Sequence, residues 1–408
     1  MSSLPSHWQC LPLEEVTSSI ANGFTHQNNP ASGGIPISRI QTISKGEIDF
    51  ELVGYAGLRL EDVKKYILNR GDILFSHINS KEHVGKVAIY RDGMPTLIHG
   101  MNLLRIVANN KVLPAYLFLA FRTDAVRSQI WANTRHAVNQ ASINIRNLST
   151  VEIPVPPLDE QKRIVDALDD YLSRLDKALA EVEATMLKFE TLERSSLESN
   201  FKGALETENA DSLPLSAVTE KVKSVDPKTL GVEEFKYVDI GSISADLEAP
   251  RIETTTLAAA APSRARQHLK SGDVVFSTVR PYQKKIALIS GELDGQIAST
   301  GFCVLRPKSD ALDSRYLFHY LKSDMLLDQV LPLQRGASYP AVGDSDVKQA
   351  VISLPDLYTQ RGIAATLDSV VGTIRSQKSQ MQSIIEVAQT LRRSLLQKAF
   401  TGELLEEK

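Results

Sequence analysis

The longest pattern in the chain is a seam of apolar residues that repeats every 3.5 positions. Leu168, Leu172, Leu175, Leu179, Val182, Met186 and Phe189 follow one another at spacings of 4, 3, 4, 3, 4 and 3. That period marks a coiled coil rather than the broader apolar face of a globular helix. The positions 199 further on are Leu367, Val371, Ile374, Lys378, Met381, Ile385 and Ala388, apolar except for Lys378. A single polar seam residue fixes register at some cost in stability. Pro156-Pro157 and Pro355 stand just before the two seams, Asp159 and Thr359 are placed as N-caps, and Gly203 and Gly402 are placed to end the helices. Each helix is expected to run ~42 residues, or ~60 Å.

The seams are one part of a longer internal repeat. Leu11-Pro12-Leu13 recurs as Leu213-Pro214-Leu215, Gly71-Asp72-Ile73-Leu74-Phe75-Ser76 as Gly272-Asp273-Val274-Val275-Phe276-Ser277, and Lys86-Val87-Ala88 as Lys285-Ile286-Ala287. Tyr116-Leu117-Phe118 recurs as Tyr316-Leu317-Phe318, and Phe201-Lys202-Gly203 as Phe400-Thr401-Gly402. Order is kept throughout, so the chain is read as globule, helix, globule, helix. Short apolar runs such as Ile73 to Phe75 and Val87 to Tyr90, bounded by Gly, Asn and Asp, predict strands and turns. Pro114 to Ile130 and Ser314 to Val330 predict helices, with apolar residues three and four apart. The fold class expected is α+β: two similar mixed heads, 1–157 and 206–356, separated by helices over 158–205 and 357–408. Antiparallel pairing of those helices into a coiled coil would place the heads at opposite ends of a rod with pseudo-two-fold symmetry, a ruler between two modules.

Charge sharpens this picture. Residues 158–205 carry a net −4 (7 basic, 11 acidic) and residues 358–408 a net +2 (7 basic, 5 acidic). Opposite signs suit paired helices, although each exposed ion pair contributes only ~0.2–1 kcal/mol. The first head is mildly basic at +3, the second acidic at −4, and the whole chain stands at −3. Bulk charge therefore does not suit a protein that coats nucleic acid, and any such contact must be local.

The chain offers few signs of catalysis. It has no GxxxxGK[ST] loop, no strand-linked GxGxxG, and no HExxH, CxxC or EF-hand spacing. It lacks the Asn/Asp-Pro-Pro-aromatic tetrapeptide of DNA-aminomethylating enzymes; Pro156-Pro157-Leu158-Asp159 has no aromatic residue. Glu160-Gln161-Lys162 has a nuclease-like order, but it stands at a helix start, where acidic residues favour the dipole. Cys10 and Cys303 are too few for a disulfide framework or a zinc site. The first residues show no signal-peptide pattern and no apolar run of ~18 residues occurs, so the expected location is cytoplasmic, with no membrane partner.

Recognition chemistry gathers instead in loops at equivalent places. After the first Phe-Ser strand come His77, Asn79, Lys81, His83 and Lys86; after the second come Thr278, Arg280, Tyr282, Gln283, Lys284 and Lys285. A later loop in each head holds Arg135, His136, Asn139 and Gln140, or Arg335, Ser338 and Tyr339. Such side chains meet phosphates and base edges; Arg pairs with guanine, and Asn or Gln with adenine, through two hydrogen bonds each. Any one of them is equally at home on a solvated surface. As a set, with a repeated framework and divergent content, they suit two heads that read different sequences. The residues leave other classes open: a pseudo-dimeric coiled-coil scaffold whose heads bind protein, favoured by the acidic second head, and a self-contained nuclease or methyltransferase.

The chain resembles the specificity subunit of type I restriction-modification systems. The residues that carry the likeness are the two Gly-Asp-hydrophobic-hydrophobic-Phe-Ser runs and Ile153-Pro154-Val155-Pro156-Pro157-Leu158-Asp159-Glu160-Gln161-Lys162-Arg163-Ile164 before the first long helix. The helix ends, Ser195 to Gly203 and Ser394 to Gly402, resemble it too. At the second junction only Pro355, Leu357 and Gln360 keep the pattern. The resemblance implies two target-recognition domains reading the halves of a bipartite, asymmetric site on double-stranded DNA. It implies helices that set the spacer and dock two methyltransferase (modification) subunits. It further implies restriction/translocase partners and a chain that is itself non-catalytic. S-adenosylmethionine, ATP and Mg would then belong to partner subunits, with no cofactor and no metal site on this chain.

Overall fold

The computed structural model describes residues 4–25, 34–44, 46–57, 59–80, 83–136, 140–206, 210–244 and 248–405. They form two compact units, Met1–Glu181 with Ile384–Lys408, and Val182–Ser383. Each unit holds one head and part of both long helices.

The first unit is built on a four-stranded antiparallel sheet in the order Thr17–Asn22, Leu103–Ala108, Ile73–Ser76, Val87–Ile89. The central strand Ile73–Ser76 is buried on both faces, which is why its residues run Ile-Leu-Phe instead of alternating with polar ones. Ile73 and Phe75 pack, with Leu104 and Ile106, against Tyr116, Leu117 and the long helices. Leu74, Ala88 and Leu103 face the other way, into a smaller core with Ile43, Ile48, Val53 and Leu97. The second unit repeats this plan with Thr219–Glu220, Phe302–Pro307, Val274–Ser277 and Ile286–Leu288 in the same order. Even the register is kept: Ser76 lies opposite Leu103, and Ser277 opposite Phe302.

The repeated Gly-Asp pair has a structural cause. Gly71 and Gly272 take φ of +89° and +87°, a region that favours glycine. The carboxylates that follow are buried and close the turn: Asp72 accepts from the Asn69 N–H at 2.9 Å, and Asp273 from the Lys270 N–H at 2.8 Å. Arg306 adds a two-pronged pair to Asp273 at 2.8 and 2.7 Å. In the first unit the matching Arg105 stands 3.9 Å from Asp72 and donates to the Lys65 and Ile67 carbonyls. Burial pushes the Asp72 carboxyl up from its ordinary value.

The long helices span Leu158–Leu205 and Leu357–Thr401. All fourteen seam positions are buried or half-buried, Leu168, Leu367, Val371 and Ile374 most deeply. Within the first unit the helices run antiparallel. Asp176 pairs with Arg392, while Glu160, which bonds Trp8, lies near Gly402, whose surroundings include Trp8 and Pro5. The second unit shows the same sense, with Glu193 on Lys378 at 3.4 Å and Asn200 beside Thr359 and Gly362. The polar seam residue Lys378 therefore has a partner across the seam. The helix ends dock on the heads. Phe400 packs on Tyr116 with ring centroids 4.7 Å apart, and Phe201 on Tyr316 at 5.1 Å.

Local expectations are corrected in four places. The first long helix already starts at Leu158, so Asp159 lies inside its first turn and not at the cap. The second long helix is capped by Asp356, which accepts from the Thr359 N–H and hydroxyl at 2.9 Å each, so Thr359 is the recipient and not the cap. Gly203 lies inside the first long helix, whereas Gly402, with φ of +90°, follows the end of the second. The helices expected over 114–130 and 314–330 are each broken in two, Pro114–Ala120 with Asp124–Ala132 and Ser314–Lys322 with Asp324–Val330. At the first break the Thr123 hydroxyl caps a new start by accepting from the Val126 N–H.

Candidate nucleic-acid interface

In each head the two loops singled out by the repeat come together, in a small three-stranded sheet in the first and through isolated β-bridges in the second. Beyond the Phe75-Ser76 strand end, Ile78–Asn79 pairs with Ala141–Ser142, which pairs in turn with Arg135–His136. In the second head Val279 bridges Ala341, and Arg335 exchanges two backbone hydrogen bonds with Ala341 at 2.9 and 3.0 Å. The same three segments, in the same order, thus present different side chains.

In the first head Arg135, His136 and Gln140 are exposed, with the His136 ring 4.4 Å from that of Trp131. Lys81 and Asn139 lie outside the described residues. Asn79, His83 and Lys86 line an open cleft of about 470 Å³ whose other walls include Arg39, Gln41, Ser44 and Asn102. The Lys86 ammonium donates to the Ser44 carbonyl at 2.7 Å and so bridges the cleft walls. The Asn79 amide is turned inward, donating to Ser76 Oγ and accepting from the Ser80 N–H. His77 is buried, and burial lowers its pKa, favouring a neutral ring. It supports the cleft from within the head.

In the second head Arg280, Tyr282 and Gln283 form the tip, and Tyr339 reaches across from the other loop. The Arg280 guanidinium lies 5.4 Å from the centre of the Tyr339 ring, and Tyr339 is 73% exposed. Arg335 and Ser338 are exposed nearby, Arg335 at 3.5 Å from Asp346. Three expected residues are used within the fold. Thr278 is buried and donates to the Gly301 carbonyl at 3.0 Å, Lys284 pairs with Asp324 at 2.6 Å, and Lys285 donates to the Ile240 carbonyl at 2.9 Å.

Backbone strain singles out the same places. Among the described residues, the non-glycine positions with positive φ are Asn102 (67°), Arg280 (50°) and Lys284 (48°). Asn102 lines the first-head cleft, while Arg280 and Lys284 flank the second-head tip. Such conformations cost of order 1–3 kcal/mol and gather at functional sites.

Arg39, Gln41 and Asn102 escaped the reading of the sequence. A signal for the first two exists: Arg39-Ile40-Gln41-Thr42-Ile43-Ser44 recurs as Asp239-Ile240-Gly241-Ser242-Ile243-Ser244, 200 residues on. Both copies form a short 3-10 turn, again a shared frame with divergent outer residues. The nuclease-like triplet also resolves. Glu160 accepts from Trp8 Nε1 at 3.1 Å and pairs with His7 at 2.9 Å, while Gln161 is buried, so both are structural. Among the described residues, no group of three or more His, Cys, Asp or Glu is arranged to hold a metal, and no helix is long and apolar enough to cross a membrane.

The chain is similar along nearly its whole length to proteins of one kind. A protein assigned as the MjaX type I restriction enzyme specificity subunit of Methanocaldococcus jannaschii is 28% identical over 97% of this chain and 94% of its own. The EcoBI specificity subunit of Escherichia coli is 20% identical over 98% and 87%. Among solved structures, one reported for complex assembly and conformational transition of the type I R-M system matches 98% of this chain and all of its own. Its TM-score is 0.70 at 20% identity. The HsdS subunit from Thermoanaerobacter tengcongensis matches 98% of both chains with TM-score 0.53 at 21% identity; at these identities both show the fold alone. The family model for the type I restriction modification DNA specificity domain matches residues 5–184 and again residues 233–386. With two matches that together span most of its length, the chain belongs to the type I restriction-modification DNA specificity family.

Proposed function

We propose that each head of this chain reads one half of a bipartite, asymmetric DNA site, and that the chain is the non-catalytic recognition subunit of a larger complex. The long helices hold the two half-site readers and offer docking sites to two methyltransferase subunits, with restriction/translocase subunits joining them. S-adenosylmethionine, ATP and Mg belong to those partners, and the complex works in the cytoplasm on double-stranded DNA.

The observation that carries this reading is the tip of each head. The same three segments meet in the same order, yet one tip displays Arg135, His136 and Gln140, and the other Arg280, Tyr282 and Tyr339. Arginine, amide and aromatic side chains on a fixed frame suit base edges and backbone together. Two equal tips would favour a palindromic target, whereas two different ones call for an asymmetric target. The second head's acidic total is compatible with this because contact depends on the local tip rather than on net charge.

The test is selection of random-sequence duplexes by the full chain assembled with its methyltransferase subunits. The expected result is a split sequence with two unlike specified blocks and an unspecified spacer, bound in a salt-dependent way. Failure to enrich any sequence removes the reading.

A further inference from the structure

We propose that Gln41 is a specificity-determining residue of the first head, its amide reading the edge of an adenine across the cleft described above. This rests on the reading of the heads as DNA-recognition modules and adds a third loop to the two that carry it.

The turn bearing Gln41 is anchored on every side. Thr42 and Ile43 are fully buried. Thr42 Oγ1 accepts from the Arg39 N–H at 2.9 Å and donates to the Leu52 carbonyl at 3.1 Å, and the Thr42 carbonyl accepts from the Asp49 N–H at 2.8 Å. Lys86 ties Ser44 to the opposite wall at 2.7 Å. Gln41 is the exposed residue of this turn and lines the cleft. Asn102, on the same cleft, is held with a positive φ of 67°. A reader on a frame already fixed loses little freedom on binding.

The side-chain chemistry selects the ligand. A carboxamide presents a donor and an acceptor side by side, which matches the N7 acceptor and N6 donor of adenine in the major groove. A phosphate needs donors alone and is better met by the cleft cations Arg39 and Lys86, the second of which also donates to Ser44. On the equivalent turn of the second head the outer residues are Asp239 and Gly241. Asp239 Oδ1 is spent on the Ser242 N–H at 2.9 Å, and Gly241 has no side chain to present. The second head therefore lacks this reader, and Gln41 bears on one half-site only.

The experiment repeats the duplex selection with Gln41→Ala and Gln41→Glu in the full complex. Gln41→Ala is expected to lower the preference for adenine at one position of one half-site by about ten- to a hundredfold, leaving the other half-site unchanged. Gln41→Glu should move that position towards cytosine, whose N4 amine a carboxylate accepts. The intact second half-site serves as the control for folding. Unchanged preference at every position in both variants overturns the proposal, as does an equal loss of affinity over all sequences. If the unsubstituted complex enriches no sequence at all, it is the recognition reading that fails.

Discussion

Gln161 and Gln360 make the same three hydrogen bonds, one residue in each unit. Gln161 Oε1 accepts from the Leu113 N–H at 2.8 Å, and its Nε2 donates to the Lys111 and Pro156 carbonyls at 3.0 and 2.9 Å. Gln360 Oε1 accepts from the Asp313 N–H at 2.9 Å, and its Nε2 donates to the Ala311 and Pro355 carbonyls at 3.0 and 2.8 Å. Both are buried in the first turn of a long helix. Each amide thus fastens a head helix and the preceding strand exit to the start of its long helix.

Gln161→Ala or Gln360→Ala removes the partner of one buried and two half-buried backbone groups. The expected cost is roughly 2–4 kcal/mol, since each buried group left unpaired costs about 1–3 kcal/mol and water recovers part of it. Hydrogen exchange should quicken around residues 111–113 and 156–161 in the first variant, and around 311–313 and 355–360 in the second. Tyr358→Ala, at an 89% exposed site, should change neither region. Exchange unaltered by both glutamine variants would show that the amides do not hold the junction.

This pair also shows what the sequence made legible. Gln360 was visible as a survivor of an otherwise altered junction, and the seams, strands and Phe-Ser framework were visible as repeated apolar spacing. What stayed hidden depended on contacts between distant segments. Thr278 and Lys284 have the chemistry of DNA ligands, and only the positions of Gly301 and Asp324 reveal that they serve the fold. Gln41 was missed for the opposite reason, because its turn is short and its repeated residues are separated by variable ones.

The pair of Lys378 and Glu193 places two charges on an otherwise apolar seam. Each is about 28% exposed, so desolvation and attraction are both moderate. A double-mutant cycle with Lys378→Met and Glu193→Leu should give a coupling energy of about 0.5–1 kcal/mol, with the double variant at least as stable as the unsubstituted chain. Zero coupling in thermal unfolding would deny the pair a role in the seam.

Arg280 and Lys284 should separate on substitution. Arg280→Ala is expected to weaken DNA binding and relax one half-site position by about 1–3 kcal/mol if its guanidinium reads a base. Lys284→Ala, which removes the partner of Asp324, should leave sequence preference intact and loosen the 280–284 turn. Measured preferences that shift with Lys284 and not with Arg280 would reverse these roles.

His99 gives the first unit a pH dependence. It is buried, and burial lowers its pKa to about 4, with the bond to the Leu103 carbonyl opposing the shift and the Arg105 charge adding to it. The unfolded chain takes up this proton near pH 6.5, and the folded one only near 4. Stability is therefore fully present above about pH 6.5 and lost as pH falls towards 4, by about 3 kcal/mol in all. Urea midpoints for the first unit should fall across that window, and His99→Gln should flatten the slope. An equally steep slope in the variant would assign the effect to other groups.

Two unlike tips on one chain suit two unlike halves of a DNA target. The most direct measurement is the methylated-base map of the source genome with this gene intact and with it deleted. Adenine methylation is expected at a split, asymmetric motif that vanishes on deletion and returns when the gene is restored. A motif that is continuous, or one that persists without the gene, would contradict this reading.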